Sequence, residues 1–178
     1  AFARAGLPEP EAYRRREWKA KLAAYLGDLV KRLADGVGLT LEGPVGTGKT
    51  LATCIAVRVI VELPRSCILI PERGIFQALQ ASWQDDVADD EADVLAQFET
   101  VDVLCIDDFG TKKATDWVVD RYHSIVDARW DRGLPTCIST NVREKDLRGI
   151  YPRQMDRLSR NHRIEMVGAS LRGTEMER

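Results

Sequence analysis

The sequence predicts an α/β domain built on a parallel sheet, and three observations carry that expectation. Short apolar runs alternate with stretches of helical periodicity along most of the 178 residues, the pattern of strands joined by right-handed helical crossovers. The run 101–106 is apolar at both odd and even positions, which suits a strand covered by helices on both faces. A glycine-rich stretch at 43–50 lies between an apolar run and a helical one, as a loop does when it passes from a strand's end into a helix.

The elements follow in order. Residues 1–10 hold two prolines and a glycine and read as an irregular arm. From Glu11 to Ala34, Trp18, Leu22, Tyr25, Leu26, Leu29 and Leu33 recur at three- and four-residue steps, one apolar face of a helix. Its start is basic, with Arg14, Arg15, Arg16, Lys19 and Lys21: either a solvated face or a contact for nucleic acid or a partner. Residues 35–36 close it. Residues 37–41 read as the first strand and 51–63 as a helix stopped by Pro64. Residues 67–70 are the second strand and 74–83 a helix. Six acids within 85–93 read as an exposed loop and helix start, since so much like charge resists burial, and 94–98 continue that helix. Residues 101–106 are the third strand, 116–130 a helix with Trp117, Val118, Tyr122, Ile125, Val126 and Trp130 inward, and 136–140 the fourth strand. Short helices at 144–147 and 154–160 precede a fifth strand at 163–167, marked by alternation.

Gly43, Pro44, Val45, Gly46, Thr47, Gly48, Lys49 and Thr50 fit the pattern of a glycine, four variable residues, then Gly-Lys-Thr. Glycines let the backbone curl so that successive N–H groups converge on phosphate oxygens. The helix that opens at Leu51 adds unpaired N–H groups and a partial positive charge. In such a loop Lys49 reaches the β- and γ-phosphates, and the Thr50 hydroxyl is a ligand for Mg²⁺. A plain turn ahead of a helix would not need lysine and threonine in this register.

Further candidates stand at strand ends. The third strand runs into Asp107 and Asp108, the Walker B arrangement: Asp107 on the Mg²⁺ side, Asp108 as base or orienter of the attacking water. The fourth strand ends at Asn141, placed to hydrogen-bond that water or the γ-phosphate, with Thr140 second. Arg153, Arg157, Arg160 and Arg163 recur at three- and four-residue spacing. They make either a solvated basic face or the source of an arginine finger, which is typically worth roughly 10³–10⁵ in rate. Arg172, past the fifth strand, could return to its own subunit's nucleotide.

Composition bounds the rest. A chain with 44% hydrophobic and 30% charged residues is ordinary for a globular domain. A net charge of −2 argues against coating nucleic acid by overall charge, while leaving room for a local basic patch. No apolar run reaches membrane-spanning length. Cys54, Cys67, Cys105 and Cys137 form no CxxC pair and read as small buried hydrophobes in a reducing, cytoplasmic setting. His123 and His162 are isolated, with no catalytic role assigned. A chain that opens on Ala1 reads as a piece with upstream sequence removed.

Taken together, 43–50, then Ile106 to Gly110, Ile138 to Asn141, Met155 to Leu158 and Ser170 to Arg172 resemble the AAA+ ATPases of the DnaC/DnaI-type helicase loaders, with an IstB-like core. The likeness runs from about Gly36 to Arg172 and more loosely upstream to residues 5–8. It implies a three-layer P-loop NTPase fold: a five-stranded parallel sheet of order 5-1-4-3-2, with little or no C-terminal lid. Residues 1–35 then form an arm and helix leading into a core at 36–178. It implies Lys49 and Thr50 as Walker A, Asp107 and Asp108 as Walker B, Asn141 as sensor 1, Arg157 as a trans-acting finger and Arg172 as sensor 2. It implies ATP/ADP and Mg²⁺ as cofactors, and ATP hydrolysis stimulated by assembly; the shorter Asp108, a departure from the family pattern, predicts that this hydrolysis is slow. The implied partners are a replicative hexameric helicase, single-stranded DNA, and like subunits in a ring or helical oligomer. In this family a separate N-terminal domain docks the helicase; the expectation is either that such a domain precedes Ala1 in a longer protein or that this protein engages its helicase differently. Asp108 is shorter than the glutamate many AAA+ proteins carry there, which keeps open a nucleotide-gated adaptor with little turnover. An IstB-type transposition helper is the other alternative, although such proteins more often show Asp-Glu-Leu-Gly at this strand end.

Overall fold

The computed structural model describes residues 17–83, 90–168 and 170. Five strands, β1 (Leu39–Glu42), β2 (Cys67–Pro71), β3 (Val103–Asp107), β4 (Thr136–Thr140) and β5 (His162–Glu165), form one sheet of order β2-β3-β4-β1-β5. Every pairing is parallel. Read from the other edge this is 5-1-4-3-2, as expected. All strand ends of one kind therefore lie along one edge of the sheet, and that edge carries the loop after β1, Asp107, Asp108 and Asn141.

The alternation within the strands builds two cores. Val103 and Cys105 of β3 face one way and Leu104 and Ile106 the other, while β4 divides Cys137 from Ile138 in the same manner. On the first face lie α1 (Trp18–Gly27), α2 (Leu29–Ala34) and α3 (Lys49–Ile60), packed with Leu39, Leu41 and Ile164. On the second lie α4 (Glu72–Ala81), α5 (Glu91–Thr100), α6 (Asp116–Asp131), α7 (Glu144–Ile150) and α8 (Pro152–Arg157), the last followed by a 3-10 turn at Leu158–Arg160.

Local chemistry explains where elements start and stop. The helix expected over 11–34 breaks at Asp28 (φ −104°, ψ 19°), directly after Gly27; two weak helix formers in succession permit it. The apolar stripe survives the break, because Trp18, Leu22, Tyr25, Leu26, Leu29 and Leu33 are all 2% exposed or less. The part of that helix before Glu17, and residues 84–89 of the acidic run, lie outside the described residues. Helix α5 starts at Glu91, inside the acidic run where a helix start was expected, and runs two residues beyond the expected Phe98. The Asp90 carboxylate accepts from Asp93 N (2.9 Å) while Asp93 accepts from Asp90 N (3.4 Å), a reciprocal cap that recruits part of the acidic run into a helix start. The Thr115 hydroxyl caps α6 by accepting from Val118 N at 3.3 Å.

The inward face of α6 holds one residue that its apolar pattern concealed. Arg129 is 0% exposed. Its guanidinium donates to Thr136 Oγ1 (2.9 Å) and to the carbonyls of Phe98 (2.8 Å), Val101 (2.7 Å) and Pro135 (2.8 Å). Burial lowers its pKa to about 10, so it stays charged at neutral pH, tying the end of α5 to the starts of β3 and β4. Trp117 and Trp130, expected inward beside it, are only half-buried.

Candidate nucleotide site

The loop between β1 and α3 has the backbone that its glycines permit. Gly46 (φ +83°) and Gly48 (φ +98°) lie in the left-handed region, closed to most side chains, and Ser170 packs where a Cβ of Gly46 would stand. Gly43 N donates to Thr140 O at 3.1 Å, which extends the β1–β4 ladder by one bond into the loop. The Thr47 hydroxyl, fully buried, donates to Pro44 O (2.9 Å). The Lys49 ammonium, 6% exposed, donates to Gly43 O (2.7 Å) and Pro44 O (2.8 Å). A cation thus sits inside the curled loop, held by two of its carbonyls. Pro44 and Val45 at its crest are exposed, and Leu51 in the first turn of α3 is half-buried.

Beside the loop, a chain of hydrogen bonds crosses the sheet. Thr50 Oγ1 donates to Asp107 Oδ2 at 2.9 Å. Asp107 Oδ1 accepts a short bond from Ser139 Oγ, which in turn accepts from Asp108 N (3.2 Å). A helix start, β3 and β4 are linked through one carboxylate. A hydroxyl and a carboxylate side by side are hard oxygen donors of the kind Mg²⁺ takes, leaving its other positions to water and phosphate. No cluster of three or more His, Cys, Asp or Glu able to hold a metal occurs among the described residues, and a site of this kind does not need one. Burial, and then the Asp107 charge, push the Cys54 thiol up. Cys54 corrects one expectation: much of the residue is exposed even though its thiol is partly desolvated, and Cys67 is half-buried, whereas Cys105 and Cys137 are buried as expected.

The other strand-end residues divide. Asp108 is exposed and is the one non-glycine residue with positive φ (+56°) among those described. The chain after it keeps pairing with β4 through Phe109 N to Ser139 O (2.8 Å). Asn141 is exposed at the end of β4, on the edge that carries the loop. Thr140 is 1% exposed and its hydroxyl donates to Phe109 O at 2.7 Å, so it holds the turn rather than facing out. Ser139 carried no role in the sequence reading. A serine in a strand buried on both faces must find a partner, and its partner here is the acid itself.

Arg157 lies elsewhere. Its guanidinium stacks on Trp130 at 5.0 Å and its Nε stands 3.5 Å from Asp127 Oδ1. Arg160 covers the same ring at 4.3 Å and closes against Gly36. Asn161 next to it bonds Gly38 N (3.1 Å) and Thr136 O (2.8 Å), at the beginnings of β1 and β4. This is the edge opposite the loop, separated from it by the length of β1, about 15 Å. Arg153 also pairs with Asp127, while Arg163 bridges Glu42 and Glu144. The evenly spaced arginines therefore serve different places. Arg172 lies outside the described residues; Ser170, two positions earlier, packs on Gly46 of the loop.

No family model and no curated protein sequence matches the chain. Solved structures do. DnaI is similar at a TM-score of 0.73 and 22% identity, over 85% of this chain and 86% of its own. The DnaC helicase loader is similar at 0.69 and 20%, over 90% and 93%. The fold is that of the DnaC/DnaI-type AAA+ proteins. The replication initiator DnaA bound to AMPPCP and single-stranded DNA shares it at 0.71 and 16%, over 94% of this chain and 50% of that one. Within this fold, the described residues bring together the loop 43–50, Asp107, Asp108 and Asn141 on one edge, and set Arg157 on the other. No helix among the described residues is long and apolar enough to cross a membrane.

Proposed function

We propose that this chain is an ATP-dependent helicase loader: it binds and hydrolyses ATP, assembles with like subunits on single-stranded DNA, and helps load a replicative hexameric helicase. The contact that carries this reading is Thr50 Oγ1 to Asp107 Oδ2, which joins the phosphate loop to the acid-bearing strand at a spot suited to Mg²⁺. Lys49 and the loop N–H groups hold the phosphates, and Gly43 to Leu51 form the binding loop. Thr50 and Asp107 hold Mg²⁺, which neutralises phosphate charge when bound. Asp108 and Asn141 orient the attacking water. Arg172 contacts the same subunit's nucleotide as sensor 2, a role favoured by the packing of Ser170, two positions earlier, on Gly46 of the loop.

Arg157 works in trans. Its position across the sheet from its own loop favours delivery to a neighbour's γ-phosphate, so hydrolysis follows assembly. The likeness to DnaI and the DnaC loader in fold and chain coverage, with the strand-end residues above, favours this reading over an IstB-type helper. The experiment is a pull-down of the cognate helicase with full-length protein and Mg²⁺-ATP. Helicase capture on single-stranded DNA is expected; capture of a transposase without helicase overturns the assignment. Binding to DNA that weakens steeply with salt accompanies it.

A further inference from the structure

Behind the strand-end acids lies a buried carboxylate that the chemistry above does not use. Glu72, the first residue of α4, is 1% exposed. Its Oε1 accepts from Gly110 N (2.9 Å) and Tyr122 OH (2.8 Å). Its Oε2 accepts from Thr111 N (2.8 Å), Thr111 Oγ1 (3.0 Å) and Lys112 N (2.6 Å). All five donors are neutral. Burial, and then the charge of Glu72, push the Tyr122 hydroxyl well up, which keeps it protonated and donating. Three successive backbone N–H groups converging on one carboxylate make a fixed anion nest, here filled by the protein itself.

The segment so held is the one that leaves Asp108. The Thr111 hydroxyl shares its proton between Glu72 Oε2 and Asp108 O (2.8 Å), and Gly110 follows at φ +80°. Asp108 itself occupies the left-handed region, uncommon for a residue with a side chain and maintained only when its surroundings hold it there. Phe109, fully buried, anchors the turn from the sheet side through β4; Glu72 anchors it from the α4 side. A glutamine of the same shape presents an NH₂ toward N–H donors on one of its two sides, so the site demands an acceptor at both oxygens.

We infer that Glu72 is a positioning residue for ATP hydrolysis: it clamps residues 110–112 and thereby fixes Asp108 in the conformation that orients the attacking water. This inference rests on the ATPase reading above. Glu72→Gln should lower single-turnover hydrolysis by about tenfold or more, with affinity for a non-hydrolysable ATP analogue within about twofold of wild type. Glu72→Asp, which keeps the charge, should recover part of the rate. Thr111→Ala, an exposed change that spares the core, should lower the rate by about threefold with affinity unchanged. Amide exchange at 110–112 should quicken in Glu72→Gln. A rate that stays at wild-type level in both Glu72→Gln and Thr111→Ala overturns the inference, as does a fall matched by an equal loss of affinity. If the wild-type protein shows no hydrolysis, the ATPase reading itself fails; unchanged exchange at 110–112 in Glu72→Gln would then also dispose of the clamp.

Discussion

Ser139→Ala removes one hydroxyl and should affect both stability and Mg²⁺ binding. Ser139 is fully buried, donates to Asp107 Oδ1 and accepts from Asp108 N at 3.2 Å. The bond to Asp107 has an ionised acceptor, a class that contributes about 1.5–3 kcal/mol. The orphaned Asp108 N–H belongs to an exposed residue, where water takes over most of its bonding, so its loss adds little. The expected destabilisation is about 2 kcal/mol, which for a domain of this size is a fall in Tm of roughly 4–8 °C. Urea unfolding of the variant against wild type measures it, with the slope unchanged. The second consequence is chemical. Asp107 keeps Thr50 as its partner but loses the bond that fixes its other oxygen, so Mg²⁺-dependent nucleotide affinity should drop by about three- to tenfold while Mg²⁺-independent affinity holds. Calorimetric titration with and without Mg²⁺ separates the two. A stability change below about 0.5 kcal/mol together with an unaltered Mg²⁺ response would refute the role assigned to this hydroxyl.

Two further substitutions probe the nucleotide loop and the core. Lys49→Ala should reduce nucleotide affinity by about a hundredfold, because a charge on the phosphates is lost; near-normal binding of a fluorescent ATP analogue would contradict the phosphate-loop reading. Arg129→Ala takes the guanidinium away from the carbonyls of Phe98, Val101 and Pro135, the last of which keeps Leu104 N as a donor, and should cost about 3–5 kcal/mol of stability. A thermal melt within a degree of wild type would show that the guanidinium is dispensable.

Local patterns made the layers legible from the residues. All six apolar positions of the first helical stretch are buried, and the glycine-rich loop, Asp107 and Asp108 stand at the strand ends where register alone placed them. What stayed hidden depends on partners far away in the chain. Glu72 meets groups 38 to 50 residues later, and Arg129 meets carbonyls 28 and 31 residues earlier. A lone acid after Pro71, or a lone arginine on a helix, has the same letters whether it faces water or a core. Ser139 was hidden differently: its place in a doubly buried strand announced a partner, but not which one. Cys54 shows the reverse error, since apolar neighbours in sequence do not fix the face of α3 that a residue occupies. The arginines at even spacing suggested one basic face, yet the change from helix to 3-10 turn to strand between Arg153 and Arg163 sends them to different surroundings.

The central claim is that the loop from Gly43 to Thr50 is half of a site, completed by Arg157 of an adjoining subunit. Mixing two inactive variants tests it most directly. Lys49→Ala keeps the finger but holds nucleotide about a hundredfold more weakly; Arg157→Ala holds nucleotide but lacks the finger, and should lose roughly 10³-fold in turnover with affinity unchanged. Mixed in equal amounts on single-stranded DNA, they should form interfaces that pair an intact loop with an intact arginine, and ATP hydrolysis should reappear well above either variant alone. A mixture as inactive as its components, under conditions where wild-type protein hydrolyses ATP, would contradict a site shared between subunits.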